Sequence, residues 1–174
     1  MLKKQIVAMR YNKNMNSIVI RAAADADAET IVEIMHAAFQ EYAGVLHPPS
    51  GVHQESASSV RAKMQQGTWL LAEQDGRAVG CVFAEPQAEY VYLGRLAVLP
   101  EMRGRGIGDA LITAVQEHAR AAGFRRVRLS VRVALPKMRA AYERRGYVFV
   151  EAHTHEGFAE PTYVTLERAL DVLG

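Results

Sequence analysis

A glycine-rich turn is the part of this sequence best suited to bind a ligand. A short apolar run ends at Pro100, and the turn at residues 103–108 leads directly into a predicted amphipathic helix. The first N–H groups of a helix have no partner within it, and the helix dipole favours negative charge at that end. Arg103 and Arg105 add positive charge to the turn. The pattern therefore predicts a site for a phosphate-bearing cofactor.

The spacing of the glycines distinguishes between the known phosphate-binding motifs. A dinucleotide-binding fingerprint would need a glycine where Asp109 stands, and the P-loop Gly-Lys-Ser/Thr is absent. The pattern Arg-x-x-Gly-x-Gly does fit, with Arg103, Gly106 and Gly108. This turn resembles the acyl-CoA-binding motif of the GNAT superfamily of N-acyltransferases. The resemblance implies that backbone amides of the turn hold the pyrophosphate of coenzyme A, which glycines permit because no Cβ keeps the phosphate away.

The resemblance also implies where the rest of the cofactor lies. In this family the central strand has a bulge and diverges from the next strand, and pantetheine pairs with free backbone groups in the gap. Many members have an asparagine where this chain has Leu135, so a contact through Lys137 is expected instead. The cofactor-binding residues implied by the resemblance are Leu96, Ala97, Val98, Arg103, Gly104, Arg105, Gly106, Ile107, Gly108 and Lys137.

A second motif contains Tyr142, Gly146 and Tyr147 and resembles the Tyr-x-x-x-Gly-Phe/Tyr signature of the same family. Attack of an amine on a thioester expels a thiolate, and a phenol hydrogen-bonded to that sulfur can protonate it. General acid catalysis of this kind is typically worth about 10²–10⁴ in rate. The resemblance assigns the general acid to Tyr142. The alternative is a helix residue that only packs on the sheet.

The general base is less clearly indicated. Many family members have a glutamate on the central strand, but the matching position here is Tyr92, whose ordinary pKa of about 10 makes it a poor base. Glu89 lies three residues earlier and is the candidate base, and the alternative is a solvated charge at the strand end. The acceptor pocket of the family lies between the first helices and the last strands. The candidate substrate residues are Tyr42, Tyr92 and Tyr163.

Other residues that could do chemistry have simpler interpretations. His153 and His155 fall on one face of a predicted strand, but no third ligand follows at convincing spacing, so no metal site is predicted. Cys81 is the single cysteine and lies in an apolar run, which indicates a buried strand thiol. One cysteine excludes an internal disulfide and is typical of a reducing, cytoplasmic environment.

Composition is that of a globular domain. The 174 residues are 49% hydrophobic and 23% charged, with a net charge of +2. This charge is too small to indicate nucleic-acid binding. No apolar stretch approaches the roughly 20 residues that span a bilayer, so no membrane partner is predicted.

The elements that position these residues follow the order β-α-α-β-β-β-α-β-α-β-β. This order predicts a mixed α/β fold with a mostly antiparallel sheet of about six or seven strands and helices on both faces. It is also the element order of the GNAT fold, so residues 17–174 are expected to form one GNAT-like domain. Residues 1–16 are predicted to be a disordered extension, with either Met1 or Met15 as the start.

The leading hypothesis is an acyl-CoA-dependent N-acyltransferase that transfers acetyl from acetyl-CoA to a primary amine by direct attack. The acceptor would be a small molecule or a peptide, and a homodimer is common in the family. The alternative is a non-catalytic acyl-CoA-binding sensor, which the missing strand carboxylate favours. A third interpretation is a phosphate-binding enzyme unrelated to coenzyme A.

Overall fold

The computed structural model describes residues 9–13 and 16–171, which form one eight-stranded sheet with four α-helices. The strands are β1 (Met9–Lys13), β2 (Asn16–Ala22), β3 (Thr68–Gln74), β4 (Arg77–Pro86), β5 (Val91–Val98), β6 (Arg126–Arg132), β7 (Val148–His153) and β8 (Tyr163–Ala169). The helices are α1 (Ala28–Phe39), α2 (Ala57–Lys63), α3 (Ile107–Ala121) and α4 (Pro136–Glu143).

The sheet has the order β1-β2-β3-β4-β5-β6-β8-β7. All neighbouring strands are antiparallel except β5 and β6, which are parallel. The crossover between this parallel pair contains α3, as parallel neighbours require a long connection. The predicted fold class, a mixed and mostly antiparallel sheet with helices, is confirmed.

The N-terminal region differs from the sequence prediction. Residues 9–13 do not form part of a disordered extension, because they pair with β2 as the edge strand β1. Hydrogen bonding to an existing strand edge orders this segment, and its composition alone gives little sign of it. Asn16, the last residue of the predicted extension, begins β2, and residues 1–8 and 14–15 lie outside the described residues. The first strand of the prediction, 17–21, lies within β2.

Helices cover both faces of the central strands. Successive residues of β3 and β4 are buried, which is the pattern of strands covered on both sides. Helices α1 and α3 pack on β4 and β5. Gly80 permits the close approach of α3, because a Cβ there would lie 3.1 Å from a methyl group of Leu111. The predicted buried strand thiol, Cys81, is in β4 and fully buried.

A bulge interrupts β5. Cys81 pairs with Ala97 and Phe83 pairs with Gly94, so two residues of β5, Arg95 and Leu96, stand opposite one residue of β4. Arg95 has a φ of +54°, a conformation that non-glycine residues rarely adopt. An inserted residue of this kind bends the strand and increases its local twist.

Strands β5 and β6 diverge just before the bulge. Their pairing is confined to Val91 with Val127 and Tyr92 with Arg128. From Leu93 to the end of β5, no pairing with β6 exists in the described part of the chain. The bulge and divergence implied by the family resemblance are therefore both present, and they open a gap in the middle of the sheet.

Candidate functional site

Two cavities meet at this gap. The first has a volume of about 450 Å³ and lies between β5, β6 and the loop after α1. The second has a volume of about 570 Å³ and lies between the start of α3, the end of α1 and α4. Both are lined by Phe39, Leu96 and Met138, which mark the place where they meet. The arrangement suits an elongated ligand that enters along α3 and ends between the strands.

The glycine-rich turn forms one wall of the second cavity. Gly106 is the N-cap of α3 and has a φ of +83°, which favours glycine. The first helical hydrogen bond runs from the N–H of Ala110 to the carbonyl of Gly106. The N–H groups of Ile107, Gly108 and Asp109 have no hydrogen-bond acceptor in the described part of the chain. Unpaired amides and the helix dipole at this position form the kind of helix start at which anions bind.

Three basic side chains line the same cavity: Arg103, Lys137 and Arg145. Arg103 is held at the end of α1, because its guanidinium pairs with Glu41 at 2.7 Å and donates to the carbonyl of Ala38 at 2.9 Å. Arg145 lies within the second motif, but it was not among the predicted cofactor residues. The predicted ligand Arg105 is exposed and does not line the cavity, so the structure does not bring it to the site.

Asp109 is an unusual feature of this cavity, because a carboxylate at the start of α3 opposes a bound phosphate. Arg145 donates from Nε to the Oδ1 of Asp109 at 2.6 Å, and so offsets this charge. The ion pair also ties the chain after α4 to the first turn of α3. Lys137 is then the basic residue of this lining without an ion pair to a described residue, since Arg103 pairs with Glu41.

The residues of the second cavity fit a phosphate-bearing cofactor with an extended arm. Gly108 lies next to Val98 at the start of α3, where an added Cβ would make an ordinary contact with Cγ2 of Val98 at 3.9 Å. Leu96, Ala97 and Val98 line the cavity beside the turn, as the resemblance implies. Of the ten predicted cofactor residues, all but Arg105 line this cavity.

Tyr142 lies at the first cavity, on α4. Its ring packs edge-on against Tyr147, with 5.7 Å between ring centroids, and its side chain is 8% exposed. Burial raises the pKa of Tyr142 well above its ordinary value, with a smaller effect of the neighbouring Tyr147. The hydroxyl therefore stays protonated at neutral pH. It makes no hydrogen bond to any other described residue, so the donor is available to a ligand.

Glu89 is not at the site. It lies in the turn before β5 rather than on the strand, its side chain is 75% exposed, and it pairs with Arg126 at 3.7 Å. It lines neither cavity. Strand β5 begins only at Val91. Glu89 therefore does not lie on the central strand, where the sequence interpretation placed it.

Tyr42 does not line the first cavity, where a substrate residue was predicted. It closes a short 3-10 turn after α1 and lines the second cavity, beside Arg103, rather than the first. Its ring packs edge-on against Phe39, and burial raises the pKa of its hydroxyl. The other two predicted substrate residues, Tyr92 and Tyr163, both line the first cavity.

Three charged or titratable residues of the first cavity were missed: Arg95, Arg132 and His155. Arg95 reaches the cavity through the bulge, which sequence does not show. Arg132 ends the alternating segment of β6, and that alternation was the only available sign of its direction. His155 lies in the turn after β7 and not on the strand face it was predicted to share with His153.

His155 presents its imidazole ring to the first cavity. Its ring lies against Tyr163, with 4.8 Å between centroids, and its Nδ1 is 2.5 Å from Oγ1 of Thr162. Burial and then the charge of Arg132 lower the pKa of His155 below its ordinary value. The imidazole is therefore neutral at pH 7. In the described part of the chain, no group of three or more His, Cys, Asp and Glu side chains could hold a metal ion.

A helix-start anion site, a bulged central strand and a gap between two parallel strands define an α/β domain built to hold a long phosphate-bearing cofactor. A model of the acetyltransferase (GNAT) family matches residues 29–147. The chain belongs to this family, and the resemblance drawn from its two motifs is confirmed.

Two curated relatives and one solved structure illustrate the similarity. A mycothiol acetyltransferase from Propionibacterium freudenreichii subsp. shermanii is 29% identical over 150 residues, covering 79% of this chain and 45% of the relative. An L-2,4-diaminobutyric acid acetyltransferase from Nocardia farcinica is 49% identical over 49 residues, 26% of this chain and 25% of the relative. The chain thus spans less than half the length of each of these two relatives.

The solved structure shares the fold. The paia N-acetyltransferase from Thermoplasma acidophilum, solved in complex with coenzyme A, aligns with a TM-score of 0.71 at 21% identity. The alignment covers 88% of this chain and 99% of the other. In the described part of this chain, no helix is long and apolar enough to cross a membrane.

Proposed function

We propose that this protein is an N-acyltransferase that moves an acetyl group from acetyl-CoA to a primary amine by direct attack. The observation that carries the proposal is the junction of the two cavities. One presents unpaired amides and basic side chains, and the other presents the protonated hydroxyl of Tyr142. Family membership and the relatives' names as acetyltransferases support the reaction class.

The residues that would hold the cofactor follow from the second cavity. The amides at the start of α3, with Arg103 and Lys137, would bind its phosphates. The edge of residues 96–98 that faces β6 has no strand partner there and would pair with its pantetheine arm. When bound, acetyl-CoA would supply an activated carbonyl and a thiol leaving group.

The residues of the first cavity would handle the protons. Tyr142 would donate a hydrogen bond to the departing sulfur, because its raised pKa keeps the phenol protonated. His155 replaces Glu89 as the proposed proton acceptor, since it is neutral at pH 7 and lines the cavity. Tyr92 and Tyr163 would form the walls against which the amine rests.

The proposal is tested first by cofactor binding. Acetyl-CoA should raise the melting temperature of the protein, while ATP and NAD should not. Gly106→Asp should abolish the shift, because a carboxylate at the N-cap opposes the phosphates and a side chain is strained at this φ. Equal stabilisation by ATP would favour a phosphate-binding enzyme unrelated to coenzyme A.

The second test is release of free thiol across a panel of primary amines. Thiol release that depends on the amine supports transfer. Tight binding of acetyl-CoA with no thiol release on any amine would overturn the proposal in favour of the non-catalytic sensor. The presence of a separate acceptor cavity favours transfer over binding alone. The cytoplasmic location and the homodimer stay predictions from the sequence.

A further inference from the structure

The charge of the first cavity restricts the acceptor. Its lining contains the basic residues Arg95 and Arg132 together with His155, and no described Asp or Glu lines it. An acceptor with several positive charges, such as a polyamine or an aminoglycoside, would meet like charges without carboxylate partners. Juxtaposed like charges select against such ligands. The cavity instead suits an amine that also carries a negative group.

The charge of Arg95 is already used within the protein. Its Nε donates to Glu55 at 2.8 Å, and Lys63 lies 3.2 Å from the same oxygen. The side chain of Glu55 is only 4% exposed. A buried carboxylate stays ionised only when cations or hydrogen-bond donors pair with it, so Glu55 requires these partners. Arg95 is therefore a structural cation, and it offers a ligand less attraction than a free guanidinium would.

Arg132 is different, because no described carboxylate pairs with it. It is half-buried at the end of β6, opposite Tyr163 of β8 in the sheet register. One of its terminal nitrogens donates to the carbonyl of Pro48, in the loop over the cavity. Burial lowers the pKa of Arg132, as expected for a charge that has lost water without gaining an anion. A partly desolvated guanidinium beside an open cavity is a ready site for a planar anion.

We propose that Arg132 binds a carboxylate of the acceptor, and that the acceptor class is therefore amino acids and related amines that carry a carboxylate. Guanidinium and carboxylate match each other in a two-bond, planar arrangement. This inference rests on the proposed N-acyltransferase function, because it names the substrate class of the same site. Arg132 would act as a specificity-determining residue, while Tyr142 and His155 of the same cavity handle the protons.

The test compares amines that differ only by a carboxylate. L-ornithine is matched with putrescine, and L-lysine with cadaverine, as acceptors for acetyl-CoA in the thiol-release assay. Wild type should prefer the amino acid in each pair by about 10- to 100-fold in kcat/KM, the range expected for one hydrogen-bonded ion pair. Arg132→Gln should remove this preference and leave acetyl-CoA binding unchanged.

Two further variants control for folding and for general charge effects. Arg132→Lys keeps the positive charge but loses the planar fork, so it should retain part of the preference. Arg126 is at the other end of β6 and lines neither cavity. Arg126→Gln should therefore keep the wild-type preference for the amino acid over the diamine. Equal kcat/KM for both members of each pair in wild type would overturn the proposal. A loss of acetyl-CoA binding in Arg132→Gln, with the fold intact, would also overturn it and place the residue against the cofactor.

A binding measurement keeps this inference separate from the catalytic proposal. Calorimetry with the protein saturated with coenzyme A should show binding of L-ornithine that depends on Arg132, and weaker binding of putrescine. If this holds while no amine releases thiol, the proposed catalysis fails and the carboxylate site stands. If thiol is released equally from all amines and binding does not distinguish them, the carboxylate site fails and the proposed catalysis stands.

Discussion

The substitution Gly108→Ala separates the stability of the protein from its affinity for the cofactor. Gly108 is in the first turn of α3 and has ordinary helical geometry, unlike Gly106. A Cβ at this position would make an ordinary contact with Val98, 3.9 Å away, so the fold accepts it. The same methyl group would stand beside the amides that are proposed to bind phosphate.

The two expected effects have opposite signs. Replacing glycine by alanine at a compatible site stabilises a protein by about 0.4–1 kcal/mol, because the unfolded chain loses freedom. For a protein of this size, that raises the melting temperature by about 1–4 °C. Loss of one hydrogen bond between a backbone amide and a charged phosphate costs about 1.5–3 kcal/mol, which weakens acetyl-CoA binding by about 10- to 100-fold.

The measurements are thermal unfolding without ligand and calorimetric titration with acetyl-CoA. Gly157→Ala is the matched control, since Gly157 has a φ of +82° in an exposed turn far along the chain from α3. Alanine there is strained by about 1–2 kcal/mol, so this control should lose stability and keep its affinity. If Gly108→Ala binds acetyl-CoA as tightly as wild type, the amides of this turn do not hold a phosphate.

Three other substitutions probe the site. Tyr142→Phe should lower kcat by about 10²–10⁴ with acetyl-CoA affinity retained, and equal thiol release would refute its role as acid. Burial and the charge of Arg132 hold the pKa of His155 below its ordinary value, so wild type should lose its base, and kcat/KM should fall, only as the pH drops through that pKa. His155→Gln should remove this fall of kcat/KM at acidic pH. Arg95→Gln should lower the free energy of unfolding at neutral pH by about 1–3 kcal/mol, because the buried carboxylate of Glu55 loses its guanidinium partner. Burial opposes ionisation of Glu55, but hydrogen bonds from Ser59 and Arg95 hold its pKa below the ordinary value, so its contribution is lost as pH falls through the folded pKa. In Arg95→Gln that loss should begin at higher pH, which urea unfolding across the acidic range measures.

Much of the fold could be predicted from local patterns. Alternation and apolar runs indicated the strands from β2 to β8, and helical spacing indicated α1, α2 and α3. Helix α4 was predicted from Pro136 at its first turn and Gly146 at its end. The turn at residues 103–108 could be assigned because its chemistry is local: a few consecutive residues supply the glycines, the cations and the helix start. Tyr142 was found for the same reason, since its motif lies within one helix and its cap.

The first cavity was harder to predict because its residues come together only through the sheet. Arg132 and Tyr163 are neighbours through the β6–β8 register, which the sequence does not reveal. Glu89 was misplaced since the start of β5 was set two residues too early, and strand ends are poorly marked by composition. His155 reaches the cavity from a turn whose path depends on the whole C-terminal hairpin.

The bulge in β5 connects the fold to the proposed chemistry. A residue at positive φ costs of order 1–3 kcal/mol, and Arg95 adopts it where glycine would be cheaper. The side chain of Arg95 offsets this cost by pairing with the buried Glu55. The backbone carbonyl of Arg95 also accepts a hydrogen bond from the thiol of Cys81, with the Sγ 3.9 Å from the carbonyl oxygen. Beyond Tyr92 the strand no longer pairs with β6, so the edge of residues 96–98 that faces β6 is unpaired, although Ala97 and Val98 still pair with β4. Arg95 lies where the two cavities come closest along β5, and its pair with Glu55 is one of the interactions that hold the bulge in place.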